Sequence, residues 1–199
     1  AESLDERILL GFGGVAEYGI TVRWDKNFLK LIYLSLARRP LMQIFGGARL
    51  GGTMLLDDAW AAGFDHVCVA TGAGLPRVIP MGHSLARGMR QANDFLMALQ
   101  LTGAAKSTSI ATLQLRLPAV VIGGGLTAID TATEAQAYYI KQVEKILDRF
   151  ERLVAHDGED RLRADLVPED REILDEFLAH GRAVRAESGS QRESHDGRA

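Results

Sequence analysis

Hydrophobic residues in the middle of the chain form a short run that leads into a glycine turn and then into a helical pattern. The apolar, β-branched run at residues 119–122 predicts a strand, and three glycines follow it, Gly123, Gly124 and Gly125. Beyond them small side chains recur at helical spacing: Ala128, Ala132 and Ala135. A strand, a tight turn and a helix in this order are typical of the entry to a dinucleotide-binding βαβ unit.

The side chains of this turn suit a diphosphate ligand. Gly123 allows a sharp reversal, Gly125 leaves room for a pyrophosphate, and Ala128 permits close packing of helix and strand. Thr127 adds a hydroxyl to the N–H groups at the helix N-terminus. A tight turn without a ligand is the alternative interpretation. The acidic residue expected about twenty positions later does not end a strand, because Glu144 lies within a helical pattern.

Helical and extended patterns alternate upstream of this turn. After Asp25, which can cap a helix, apolar residues fall on one helical face: Leu29, Ile32, Tyr33 and Leu36. Runs at residues 42–45 and 67–70 predict strands, and the second ends at Thr71. A later helix ending near Gly103 carries a second apolar face: Ala92, Phe95, Leu96 and Leu99.

Two apolar stripes predict helices in the C-terminal third. The first stripe consists of Tyr139, Val143, Ile146, Leu147, Phe150, Leu153 and Val154. Charged residues are expected to cover its other face: Lys141, Glu144, Lys145, Asp148, Arg149, Glu151 and Arg152. The second stripe, after Pro168, consists of Ile173, Leu174, Phe177 and Leu178. The two helices are expected to form a hairpin, either packed within the chain or binding a partner.

Composition and charge exclude several classes of function. With 199 residues, 47% of them hydrophobic, the chain can bury a core, and its net charge of -3 argues against nucleic-acid and membrane partners. The single cysteine, Cys68, is expected to be buried and excludes an internal disulfide. No metal site is expected, because the spacing of His156, His180 and His195 is not that of metal ligands and these side chains are expected to be solvated. We expect a soluble, cytoplasmic polypeptide or a piece of one.

The order of the motifs resembles a known family. GGVAEYGITVR is followed by HVCVATGA, then by ANDFLMAL and by VVIGGGLTAIDTATEA. This order is similar to the flavoprotein (small, beta) subunit of NADPH-dependent glutamate synthase and its relatives, which include the reductase half of dihydropyrimidine dehydrogenase. The resemblance extends from about residue 11 to residue 135.

The resemblance implies cofactor contacts at three places. A loop beside the flavin is matched by Tyr18, Gly19 and Ile20. A turn close to FAD is matched by Thr71, Gly72 and Ala73. The pyrophosphate turn of NAD(P) is matched by Gly123, Gly124, Gly125, Thr127 and Ala128, and an acidic residue one helical step further is matched by Asp130. An equal interpretation of Asp130 is a plain negative charge near a helix N-terminus.

The chain also departs from that family. Thr21 stands in place of a proline after the flavin-side loop, and Leu126 replaces a polar residue in the phosphate turn. The N-terminal FAD-binding βαβ unit and the iron–sulfur region are absent from this sequence. Neither FAD nor NAD(P), the two cofactors implied, is therefore expected to have a complete site here.

These observations predict an α/β protein with a partial Rossmann-like FAD/NAD(P)-binding fold and a helical C-terminal third. Residues 1–104 would belong to an FAD domain and connector, 105–136 to the start of an NAD(P) domain, 137–187 to the hairpin and 188–199 to a disordered tail. The implied function is that of a central oxidoreductase fragment, which takes part in hydride transfer from NAD(P)H to FAD, with no catalytic residue of its own and inactive alone. Its partner would be the rest of the oxidoreductase, another subunit or a second copy. The alternative is a non-enzymatic scaffold or subunit-docking module.

Overall fold

The computed structural model describes residues 3–11, 26–72 and 75–196, and the regular elements within these ranges are helices. In chain order they are α1 (Phe28–Ala37), α2 (Leu56–Ala61), α3 (Ala92–Thr102), α4 (Leu126–Asp157), α5 (Glu159–Ala164) and α6 (Pro168–Asp196). Extended pairing in these ranges amounts to one isolated parallel bridge between Leu50 and Met54. Helix α4 is the longest element, and the largest part of the core forms around it.

The predicted α/β class and the partial Rossmann-like fold are wrong. Residues 42–45, 67–70 and 119–122 adopt no strand, so the described ranges hold no sheet that could carry a dinucleotide fold. Val120 and Ile122 are 85% and 58% exposed, whereas strands of a parallel sheet are buried on both faces. Cys68, expected inside such a strand, is also exposed.

Helices α4 and α6 bury the two C-terminal apolar stripes against each other. One cluster contains Tyr139, Val143, Ile173 and Phe177, and the next contains Leu147, Phe150 and Leu178. The helices approach closely at Gly181, where an added Cβ would lie 2.7 Å from the carbonyl oxygen of Val143. A bidentate ion pair between Arg185 and Glu151, at 2.8 and 2.9 Å, also joins the two helices on the exposed side. We call these two helices the helical pair.

Both helices of the helical pair extend beyond their apolar stripes, α4 at its N-terminus and α6 at its C-terminus. Helix α4 begins at Leu126 and runs without interruption across the expected boundary between residues 136 and 137. Helix α6 continues to Asp196, so residues 188–196, expected to be disordered, have helical backbone. Each residue added to an existing helix forms one further backbone hydrogen bond. A polar tail can therefore continue the helix even though it buries no apolar surface.

Helix α3 also packs against α4 and has the apolar face predicted from the sequence. Phe95, Leu96 and Leu99 are buried together with Leu113 and Tyr138. The helix ends at Gly103, which has a left-handed conformation with φ of 60°. The segment that follows, residues 104–115, runs along α4 without regular structure, and we call it the strap.

The N-terminal segment, residues 3–11, is attached to α3 and α4 by polar side chains. Arg7 forms a two-point ion pair with Glu134 of α4, at 3.0 and 3.1 Å, and both side chains are largely buried. The amide nitrogen of Gln100 in α3 donates to the carbonyl oxygens of Ile8 and Leu10 at 2.8 and 3.0 Å. These bonds satisfy backbone groups that have no partner in a sheet.

Candidate functional site

The glycine turn predicted to hold a diphosphate lies directly before helix α4. Gly123 has a φ of 145°, and Gly125 occupies the N-cap position of the helix. Gly123 also passes close to Ala128, because an added Cβ would lie 3.2 Å from the Ala128 Cβ. The tight geometry expected from the small side chains is thus present, but the turn is exposed and no paired strand leads into it.

The remaining residues of the turn do not complete a dinucleotide site. Thr127 is exposed in the first helical turn, whereas Asp130 is only 2% exposed and lies in the protein interior. A pyrophosphate site of the expected kind needs neighbouring strands that shape a crevice, and residues 119–122 form none. This arrangement does not fit a bound NAD(P), and we derive no chemistry from it.

The proposed flavin contacts are not brought together with this turn by any described contact. Thr71 and Gly72 are exposed in a segment without regular structure, and Gly72 has a positive φ of 62°. Tyr18, Gly19, Ile20 and Ala73 lie outside the described residues. The binding of FAD at these positions stays a prediction from the sequence.

A row of polar side chains on α4 forms a different site, which holds the backbone of the strap. The Tyr138 hydroxyl oxygen accepts from the Leu113 N–H at 3.2 Å. The Gln142 amide is bonded twice to Leu115, accepting from its N–H at 2.8 Å and donating to its carbonyl at 2.9 Å. One helix face therefore supplies the hydrogen bonds that a neighbouring strand would supply in a sheet.

Two cations one turn apart continue this row. The Lys145 ammonium donates toward carbonyl oxygens of the strap, the nearest being Ala104 at 2.5 Å and Ala111 at 3.2 Å. The Arg149 Nη2 donates to the carbonyl oxygens of Ser107 and Ser109, at 3.0 and 2.6 Å. Carbonyl dipoles, which carry partial negative charge, compensate part of the two positive charges.

The environment lowers the pKa of Lys145 below its usual value. Burial disfavours the charged ammonium, and the nearby positive charge of Arg149 acts in the same direction. No ion pair to a carboxylate is formed by Lys145 or Arg149 within the part of the chain that the structure describes. Two cations thus stand together beside the strap without a carboxylate counter-charge.

A groove of about 490 Å³ opens between the strap, α4 and α6. Its walls are mostly apolar and include Ile146, Phe150, Leu153, Leu174 and Phe177. Lys145 and Arg149 line the side next to the strap. The groove therefore combines hydrophobic walls with a cationic edge.

We expect the depressed Lys145 pKa to appear as a pH dependence of stability. The unfolded chain holds its lysine proton up to about pH 10.5, whereas the folded chain loses that proton at lower pH. Between these two pKa values the unfolded state binds more protons, so the free energy of unfolding rises with pH. In urea titrations from pH 8 to 11 the slope should be more positive for this chain than for Lys145→Met, because the raised pKa of Tyr139 opposes the rise equally in both proteins. An equal slope in both proteins would contradict the assignment.

Sequence reasoning missed this site because it assigned Lys145 and Arg149 to a solvated face of α4. The available signal was the spacing of Tyr138, Gln142, Lys145 and Arg149, which are four, three and four residues apart and share one helix face. Such a spacing predicts a common side. It does not say that the partner is backbone from another segment.

A smaller polar cluster lies elsewhere at the interface of α4 and α6. The Tyr139 hydroxyl lies 2.6 Å from His180 Nδ1. His180 is exposed, as expected, but its ring has a hydrogen-bond partner that the sequence did not indicate. Burial, with a smaller contribution from the nearby charge of Glu176, raises the pKa of Tyr139. Glu176 accepts two bonds from Arg116, at 3.0 and 2.5 Å, and thereby fixes the residue that directly follows the strap to α6.

Comparison with known proteins shows a similarity over most of the chain. The chain is 43% identical over 182 residues to an uncharacterised protein of Rickettsia prowazekii (strain Madrid E). The match covers 92% of this chain but 24% of that protein, so the chain spans about a quarter of the relative's length. No protein-family model matches the chain. No solved structure matches it.

These findings overturn the resemblance to the glutamate synthase flavoprotein. No family model supports it, the relative has no assigned activity, and the helical fold conflicts with it. The oxidoreductase, electron-transfer and Rossmann assignments are therefore wrong. Within the described ranges, no helix combines the length and apolarity needed to cross a membrane.

Proposed function

We propose that this chain is a non-enzymatic docking module, in which the helical pair is the rigid scaffold and α1, with the segment that follows it, is the docking surface. The observation that carries the proposal is the character of α1, whose sequence is FLKLIYLSLA. It is apolar on nearly every side, yet Leu29 is its only buried residue. A helix that is hydrophobic all round is normally buried in the finished protein.

The apolar side chains of α1 and of the segment that follows it are exposed to solvent. Phe28, Leu31 and Leu34 are each about half exposed, and Leu41 and Phe45 are 99% and 73% exposed. Exposed apolar patches of this kind typically mark a protein interface. We call the residues 28–45 the docking surface.

The rest of a longer polypeptide is the occupant that we propose for the docking surface. The relative from Rickettsia matches nearly the whole of this chain yet is about four times its length, which supports a module that is part of a larger assembly. A bilayer is a poorer occupant, because a helix of 10 residues is about 15 Å long and the hydrocarbon core is about 30 Å thick.

The helical pair suits the role of a scaffold. Its side chains are buried in two adjoining clusters, and ion pairs join the elements around them. Arg163 of α5, for example, lies over the Phe150 ring at 5.4 Å and bonds to Asp175 of α6 at 2.8 Å. A rigid body of this kind can serve as a scaffold without contributing chemistry.

The test is binding between this chain and the polypeptide encoded next to it in its gene, produced as a separate protein. We expect a one-to-one complex by light scattering, and we expect Ile32→Glu to weaken it at least about tenfold, because an unpaired charge would be buried. Ile140→Glu on α4 is the matched control, since Ile140 and Ile32 are 46% and 40% exposed.

Three results would contradict the proposal. The first is a flanking polypeptide that does not bind. The second is an equal loss of binding in Ile32→Glu and Ile140→Glu. The third is rapid amide exchange throughout α1 in the complex, which would show that the docking surface stays uncovered.

A further inference from the structure

We propose that the groove between the strap, α4 and α6 binds an amphipathic anion, a hydrocarbon chain that ends in a carboxylate. This site goes beyond the docking function and uses none of the residues of the docking surface. The carboxylate would lie at Arg149, and the hydrocarbon would lie along Phe150, Leu153 and Phe177.

The size and lining of the groove fit the apolar part of such a ligand. Ligand sites typically enclose about 300–1,000 Å³ and are lined mainly by hydrophobic and aromatic side chains, with a few polar groups that orient the ligand. This groove encloses about 490 Å³, and two aromatic rings, those of Phe150 and Phe177, contribute to its walls. A straight hydrocarbon chain requires only such walls and makes no demand for hydrogen bonds.

Arg149 has the donors that a carboxylate needs. Its Nη2 is occupied by the carbonyl oxygens of Ser107 and Ser109, whereas its Nε and Nη1 make no hydrogen bond to the residues that the structure describes. These two nitrogens carry three N–H groups, and each nitrogen can donate singly to a carboxylate oxygen, since both two-nitrogen edges of the guanidinium include the occupied Nη2. Lys145 differs, since its three N–H groups are shared among four carbonyl oxygens of the strap.

The charge balance favours an anion over a neutral ligand. Lys145 and Arg149 place two positive charges one helical turn apart, and like charges at this spacing repel. The lowered pKa of Lys145 reflects burial and, to a smaller extent, that repulsion. A bound carboxylate would supply the missing negative charge, and Arg149, which is only partly exposed, would attract it more strongly than a fully exposed cation.

The test compares decanoate with decanol, both below the concentrations at which they aggregate, in titrations of the full chain followed by NMR. The methyl groups of Ile146 and Leu174 report on the groove, and those of Leu31 report on the docking surface. We expect shifts at Ile146 and Leu174, with decanoate bound at least about tenfold more tightly than decanol. Arg149→Gln should reduce this preference to about twofold or less, whereas the neighbouring Arg152→Gln should keep it.

A second variant is needed because Arg149 also bonds to the backbone of the strap, so Arg149→Gln could weaken binding by displacing the strap. Leu153 is 50% exposed, lines the groove and forms no part of the strap contacts. Leu153→Asp should weaken decanoate binding by repulsion, at least about tenfold, while the Leu115 amide keeps its protection from exchange. Equal affinity for decanoate and decanol, shifts confined to Leu31, or an unchanged preference in both variants would overturn the proposal.

Discussion

Gly181→Ala is expected to lower the free energy of unfolding by about 1–3 kcal/mol, although alanine is the better helix former. The added Cβ would lie 2.7 Å from the Val143 carbonyl oxygen and 3.0 Å from the Leu147 Cβ. The first of these atoms belongs to the backbone of α4, so it cannot rotate away as the end of a flexible side chain would. Helices α4 and α6 must separate, and the clusters between them lose packing.

Gly189→Ala in the same helix provides the matched control. An added Cβ there meets nothing within 4 Å, and the backbone of Gly189 lies in α6. This variant should gain about 0.5–1 kcal/mol from helix propensity alone. Urea unfolding followed by circular dichroism measures both, and effects of the same sign in the two variants would contradict the close helix contact at Gly181.

The helical core could be predicted from the sequence because its signal is local. Apolar residues three and four positions apart, such as Tyr139, Val143 and Leu147, share one face of any helix that contains them. The same argument identifies Phe95 and Leu99, and these side chains are buried in the structure. Periodicity does not give the length of a helix, which is why α4 begins well before its apolar stripe.

The error in fold class came from short β-branched runs beside glycines. A run such as residues 119–122 indicates a strand only if another strand pairs with it, and pairing partners are remote in sequence. The glycine turn after this run is tight in either fold, since Gly123 and Ala128 are close neighbours in the structure. The motif spacing therefore predicted a tight turn at residues where the structure has one. The strand and the sheet that it predicted around this turn were wrong.

The strap site could not be predicted because its partners are backbone atoms. The charge pattern alone placed Lys145 and Arg149 on the same charged helix face as Arg152, which is exposed and pairs with Asp148. Every residue has a backbone carbonyl oxygen, so the sequence does not show which of these oxygens accepts a hydrogen bond from a side chain. The distinction needs the path of residues 104–115 along α4, which is a matter of tertiary structure.

Gln142→Leu is expected to lower the free energy of unfolding by about 2–4 kcal/mol, because each buried group left without a partner costs about 1–3 kcal/mol. Gln142 is 3% exposed, and leucine has a similar size, so the change removes hydrogen bonds while it preserves packing. The N–H and the carbonyl of Leu115 both lose their bonds to Gln142. We expect amide exchange at Leu115 to accelerate at least as much as global unfolding does.

Gln136→Leu tests whether this effect belongs to the strap or to glutamine in α4 in general. Gln136 lies on the exposed side of the same helix, and this substitution should change stability by no more than about 0.5 kcal/mol. A difference of less than about 0.5 kcal/mol between the two variants would show that the strap does not depend on the Gln142 amide. A large difference, together with faster exchange at Leu115 in Gln142→Leu alone, would establish that α4 holds the strap through side-chain bonds that replace a strand.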